Sequence, residues 1–351
     1  MAASVDAPVR GSGARQRRGR TGVVRTAALV AALGVLLVVV LLSLAVGAKA
    51  MPLHTVIDGL AHGGSSPDAI IVRDLRVPRT LLGLGVGAAL GLAGALMQAL
   101  TRNPLADPGI LGVNAGASLA VVLGMAFLGM RNINAYVWMA LAGAAIATLV
   151  VYAVGASGRG GATPVRLALS GTAITAVFTG VITAIILLDP RTFDQYRFWN
   201  VGALSGRDLG TVGQVAPFLV VGMVLALLLS RPLNAIALGE DTAQALGAHI
   251  GRTRVVGMLA VTLLCGAATA AAGPITFVGL TVPHIVRAIT GPDQRWVLPY
   301  ALVLSPVLLL GSDVLGRVLA RPGELQVGIV TAFVGAPVFI ALIRRRKLAQ
   351  L

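Results

Sequence analysis

Blocks of about 20 apolar residues recur along this 351-residue chain, and no other property limits its fold so tightly. A helix of that length, rising about 1.5 Å per residue, covers the roughly 30 Å of hydrocarbon in a bilayer. The blocks are Thr26–Ala48, Thr80–Thr101, Gly109–Met130, Asn132–Gly158, Leu167–Leu188, Thr211–Ser230 and Leu325–Ile343. Val255–Val286 is too long for one span, and Gly273–Pro274 marks where a helix there should break. Trp296–Ser312 is slightly short but can run on through the next turn. The expected architecture is all-α: a polytopic membrane protein of about ten transmembrane helices. Only 12% of residues are charged, about half the share a soluble domain carries.

The formal charge of +15 comes from arginine, since Lys49 and Lys347 are the only lysines. With the N-terminus inside and ten alternating spans, 18 of the 28 Lys and Arg face the cytoplasm. Both termini are therefore expected to be cytoplasmic. Arginines placed at span ends in this way leave no case for a nucleic-acid partner. Residues 1–22 mix Arg, Gly, Ser and Ala without apolar periodicity and read as a disordered basic arm. Residues 23–347 read as a single transmembrane domain. The first apolar block is longer than a signal-peptide core and lacks a convincing cleavage site before Lys49, so it reads as a retained span. Cys265, the only cysteine, falls within a span, which excludes disulfides and thiolate metal clusters.

Several chemistries are missing. A nucleotide-binding P-loop needs G-x-x-x-x-G-K followed by Ser or Thr, and neither lysine here follows a glycine. ATP is therefore not expected on this chain. No two of His54, His62, His249 and His284 are four residues apart, so no metal site is expected. No nucleophile–base pair or pair of catalytic carboxylates stands out, and the chain does not read as an enzyme. Proton- or ion-driven carriers place carboxylates or histidines at mid-membrane depth. Here only Asp313 and His284 come near, both close to expected helix ends.

Four features remain. Gly83, Gly87 and Gly91 line one face of the second span, a spacing that suits close helix packing in lipid. Thr172, Thr175, Thr179 and Thr183 form a stripe on the fifth span, which either lines a wet path or bonds its own helix carbonyls. On the outer side, FDQYRFWNVGALSG (193–206) reads as an interfacial helix with Tyr196 and Trp199 at headgroup level. Arg76 and Arg79 flank the second span there, and Arg317 and Arg321 the ninth. Positive-inside statistics disfavour arginines on that side, and a partner bearing carboxylates would account for them.

The fourth feature is a cytoplasmic polar island, LGEDTAQALGAHIGRTR (238–254). One or two short helices are expected across Asn234–Ile250, with Glu240 and Asp241 at a helix start, where the dipole favours carboxylates. Ala243, Leu246 and Gly247 give a small apolar face, and Gly247 and Gly251 let the chain turn back toward the membrane. Such a segment suits a groove on another protein.

Four stretches together resemble a known family: RVPRTLLGLGVGAALGLAGALMQALTRNPLADPGILGVNAGA (76–117), LNAIALGEDTAQALGAHIGR (233–252), GPITFVGLTVPHIVRAITGPDQRWVLP (273–299) and ELQVGIVTAFVGAPVFIALIRR (324–345). They resemble the FecCD-type permease subunits of ABC importers for iron–siderophore complexes, haem and vitamin B12. The resemblance covers roughly residues 50 to 345. It implies the type II ABC importer permease fold, ten spans and both ends inside. It also implies that 238–251 is the helix docking on a cytoplasmic ATPase, with Gly239, Glu240, Asp241, Ala243, Leu246 and Gly247 carrying the coupling. By the same resemblance Arg76, Arg79 and Arg317 receive acidic residues of an extracytoplasmic substrate-binding protein. Asn103, Leu105 and Thr163 fall at the cytoplasmic gate, and Thr172, Thr175, Thr179 and Thr183 on a helix lining the path.

The implied partners are a second permease subunit, a copy or a paralogue, two ATPase subunits holding ATP and magnesium, the binding protein and membrane lipid. Ferric siderophore is the expected cargo, with haem and cobalamin as alternatives. Two other classes compete: an ion-coupled secondary transporter, whose uptake would survive ATP depletion, and a receptor or scaffold without transport.

Overall fold

The structure is a computed structural model that describes residues 12–47, 51–61, 66–130, 132–157, 163–245 and 247–345. Among these residues the chain is helical, with no strand. Helix α1 runs Ser12–Ala45. The short α2 (Leu53–Ala61) and α3 (Pro67–Ile70) follow, and α3 passes through a π-helical stretch, Ile71–Arg76, into α4 (Val77–Thr101). Then come α5 (Val113–Leu128), α6 (Ile133–Ala156), α7 (Pro164–Leu188), the short α8 (Pro190–Asn200) and α9 (Leu209–Leu228). Two small helices, α10 (Ser230–Ala237) and α11 (Glu240–Ala245), precede α12 (Ile250–Ala272), α13 (Val278–Thr290), α14 (Gln294–Leu319) and α15 (Val327–Arg345).

Among the described residues seven helices are long and apolar enough to cross a bilayer, including 22–45 of α1 and the continuous run 67–101. Three shorter apolar helices, Val113–Leu128, Val278–Thr290 and Val327–Ala341, bring the set to the ten expected. The long run 255–286 divides at Gly273, as its sequence suggests. Gly273 has φ +76°, and a Cβ there would sit 2.2 Å from the Trp199 carbonyl oxygen. The non-helical residues between α12 and α13 are tolerable because protein surrounds them: Ala203 N donates to the Ala272 carbonyl at 2.7 Å.

Helix α4 is the central post. It is buried along most of its length and packs against α14, α12, α13 and α9. Its glycines permit this. A Cβ on Gly87 would lie 2.6 Å from Pro306 Cα, and one on Gly94 would lie 1.8 Å from the Gly279 carbonyl oxygen. Where hydrophobicity cannot drive association, backbone approach of this kind maximises dispersion contact. The glycine face therefore serves packing within the subunit.

Helix α7 is the opposite case. Among its described side chains and glycines only Gly171 and Ile182 are buried.

Two features depart from expectation. Helix α1 reaches back to Ser12, so residues 12–22, expected as part of a disordered arm, form its first turns. Residues 1–11 of that arm lie outside the described residues. A helix already nucleated by an apolar run gains a hydrogen bond with each residue added to its flank. Tyr196 and Trp199, expected at headgroup level, are buried instead, with ring centroids 6.3 Å apart. Their three-residue spacing on α8 turns both toward the bundle, while Phe193 and Phe198 point outward.

Candidate functional site

The polar island expected on the cytoplasmic side folds as two short helices. Gly239, at φ +107°, makes the corner between α10 and α11. Glu240 and Asp241 occupy the first turn of α11, where exposed backbone N–H groups favour carboxylates. Ala243 is fully buried against Ile236 and Ile250, a small satellite core that fixes α11 to its neighbours. Glu240 Oε1 accepts a hydrogen bond from Arg254 Nη2 at 2.6 Å, tying α11 to α12. Gly247 turns the chain at φ +80°. Gly251 does not turn it: it lies in the first turn of α12. Leu246 lies outside the described residues. Leu238 and Asp241 are exposed, so the island presents an apolar group beside an acid.

Arg254 also lines a cavity of about 160 Å³ with Met97, Thr101, Ile110, Tyr152, Leu167 and Met258. The ion pair on α11 therefore stands over the ends of α4, α6, α7 and α12. Beside it, Asn103 Oδ1 accepts from Leu105 N at 2.9 Å, and Leu105 is exposed. Asp107 caps the following short turn, Pro108–Leu111, accepting from Gly109 N at 2.7 Å. Burial pushes the Asp107 carboxyl above its usual range. Thr163 caps α7 with its hydroxyl toward Arg166 N at 3.4 Å. The Ile110 carbonyl lies where a Cβ on Gly171 would be, 1.7 Å away, so this loop rests directly on α7.

On α7, Thr172 Oγ1 donates to the Ala168 carbonyl at 2.9 Å and Thr183 Oγ1 to the Thr179 carbonyl at 2.8 Å. These two satisfy their hydroxyls within the helix. Thr172, Thr179 and Thr183 are exposed, and Thr175 is half-buried near Gly112.

The arginines expected on the outer side are not loose flanking charges. Asp313 of α14, fully buried, lies between Arg79 and Arg317. Arg79 also reaches Glu324 at 2.7 Å. Arg317 Nη1 donates to the Ser43 and Val46 carbonyls at 2.8 Å each. Arg76 Nη1 donates to the Leu44 carbonyl at 2.6 Å, and Arg321 Nη2 to that of Gly47 at 3.0 Å. The last turn of a helix leaves its carbonyls without partners. Here the end of α1 is satisfied by three arginines from distant helix ends. Arg76, Arg79 and Arg317 thus lie around one cavity, each largely buried in the wall of the protein.

Sequence reasoning gives two members of this cluster no role. Asp313 reads as a lone intramembrane acid until its partners are known. Arg207 lies one residue beyond the segment singled out, and its signal is a cation on the side where cations are disfavoured. It is 8% exposed, and its Nε donates to the Ala271 carbonyl at 2.6 Å. Burial lowers its pKa to about 10. With Arg76, Arg79, Arg317 and Glu324 it lines a cavity of about 340 Å³. Among the described residues no group of three His, Cys, Asp or Glu side chains is placed to hold a metal ion.

Comparison with known proteins gives this geometry its context. The FecCD transport family matches residues 35–345. The chain is 51% identical over 329 residues to the ferric enterobactin transport system permease protein FepD of Escherichia coli (strain K12), spanning 93% of this chain and 98% of that one. It is 43% identical over 306 residues to the Fe(3+)-citrate import system permease protein YfmD of Bacillus subtilis (strain 168), spanning 87% and 91%. A solved structure described as an inward-facing conformation of a putative metal-chelate type ABC transporter superimposes with a TM-score of 0.80 at 24% identity. It covers 92% of this chain and all of that one, and speaks to the fold. The protein is a multi-pass permease of the plasma membrane, and the chain belongs to the FecCD transport family.

Proposed function

We propose that this protein is the membrane subunit of an ATP-driven importer that carries ferric siderophores into the cytoplasm. The observation that carries the reading is 51% identity, over nearly the whole chain, to a ferric enterobactin permease. Two permease subunits, copies or paralogues, enclose one path, and α7 with Thr172, Thr175, Thr179 and Thr183 lines it. The nearly bare surface of α7 supports this, because such a helix calls for a neighbour.

The chain itself binds no cofactor. ATP and magnesium are held by two separate ATPase subunits, and α11 receives their motion. Gly239, Glu240, Asp241, Leu246 and Gly247 form that contact, while Ala243, expected to share in it, is buried beneath α11 and holds the helix in place. The Glu240–Arg254 pair passes displacement from α11 to α12, beside the loop where Asn103 and Leu105, with Thr163, close the inner end. A change of packing between two discrete arrangements carries such motion. On the outer side Arg76, Arg79 and Arg317 give the positive field against which a loaded binding protein docks.

The test is Glu240→Arg in the assembled transporter, reconstituted with its ATPase and binding protein and supplied with ferric enterobactin. Uptake should be lost while the complex stays assembled and monodisperse. Wild-type uptake in that variant would refute the coupling role.

A further inference from the structure

The outer cavity holds an imbalance of charge. Its walls carry four guanidinium groups, those of Arg76, Arg79, Arg207 and Arg317, against the single carboxylate of Glu324. Asp313 lies behind the wall and is already engaged by Arg79 and Arg317. Arg79 Nη1 donates to Glu324, and Arg317 Nη1 donates to carbonyls at the end of α1. Arg207 differs. Its Nε donates to a neutral backbone carbonyl, and among the described residues no acceptor meets its two terminal nitrogens. A buried cation without a carboxylate is costly unless something supplies the missing charge. The cavity it faces is large enough to admit an acidic side chain.

We propose that Arg207 is the anchor that receives a carboxylate of the docking binding protein, inside the outer cavity, while Arg79 and Arg317 are held back by Asp313 as its supporting wall. This rests on the docking reading given above and assigns the contact to a different residue. A planar guanidinium with two free N–H groups on one edge offers a bidentate seat for a carboxylate. Its rigid placement on the short link between α8 and α9 means little side-chain freedom is lost when that seat is filled.

The experiment measures affinity of the binding protein for the whole transporter in lipid nanodiscs across a salt series. Arg207→Gln is expected to weaken docking at least tenfold and to reduce its salt dependence, with Arg207→Lys recovering part of the loss. Ser205→Glu leaves Arg207 and its backbone bond in place but puts an acid into the same cavity. It should block docking comparably, which keeps the test open if Arg207→Gln fails to assemble. Wild-type affinity in Ser205→Glu or in Arg207→Gln, together with loss in Arg76→Glu, would overturn the anchor and leave the docking surface standing. Wild-type affinity in all three would remove the docking surface as well.

Discussion

Arg79 and Asp313, 234 residues apart in the chain, meet in a forked ion pair: Nη2 reaches Oδ1 at 2.8 Å and Nε reaches Oδ2 at 3.0 Å. The same carboxylate accepts Arg317 from the other side. One buried anion thus serves two buried cations. Asp313→Ala should therefore destabilise the subunit by about 3–5 kcal/mol, since it leaves Arg317 without a counter-charge and Arg79 with Glu324 alone. The thermal midpoint of the purified permease reads this directly. A midpoint within a degree of wild type would mean the pair contributes nothing.

The Glu240–Arg254 pair should behave differently. Both side chains are partly exposed, so the pair adds only about 0.2–1 kcal/mol. Arg254→Ala is expected to leave the thermal midpoint almost unchanged and to lower ATP-driven uptake severalfold. Exchanging the charges, with Glu240→Arg and Arg254→Glu together, should restore part of the link to α12 but not the contact with the ATPase. Full recovery of uptake in the exchanged variant would show that only the internal pair matters.

Glycine substitutions separate packed from open helix faces. Gly94→Ala places a methyl 1.8 Å from the Gly279 carbonyl and should cost more than about 3 kcal/mol or prevent folding. Gly180→Ala on α7 meets nothing within 4 Å in the subunit and should be neutral or stabilising by up to about 1 kcal/mol. If Gly180→Ala instead breaks up the permease pair, α7 lies against the second subunit. Equal stability of Gly94→Ala and wild type would contradict the approach of α4 to α13.

Asp107 gives a pH dependence of known sign. Its folded pKa is raised by burial, so the stability that goes with its protonated form is complete below the ordinary carboxylate value of about 4 and is lost as pH rises through the raised value. Asp107→Asn keeps an acceptor for Gly109 N without the buried charge. The wild-type minus variant difference in thermal midpoint should therefore grow more negative between pH 4 and pH 7. A difference that stays flat over that interval would show that the carboxyl is not strained by its surroundings.

What could be read in advance follows from periodicity and range. Gly83, Gly87 and Gly91 announce a packing face because their spacing is local to one helix, and Gly273–Pro274 announces a break for the same reason. Glu240 and Asp241 stand out because an acid pair is rare in so apolar a chain. The ion cluster could not be read, because Asp313 meets Arg79 only through the packing of α14 on α4. Tyr196 and Trp199 mislead because aromatic residues in an outer segment fit both an interfacial and a buried place, and only the orientation of α8 decides. Gly251 likewise looks like a turn but serves as ordinary helix, since Gly247 already reverses the chain.

The fastening of α1 has a consequence for how the protein is made. Its final carbonyls wait for Arg76, which emerges soon afterward, and for Arg317 and Arg321, which leave the ribosome some 270 residues later. During synthesis, which proceeds from the N-terminus, the first helix to enter the bilayer is therefore among the last to be locked in place. A chain truncated before α14 should carry a first helix that any protease on the outer side can find.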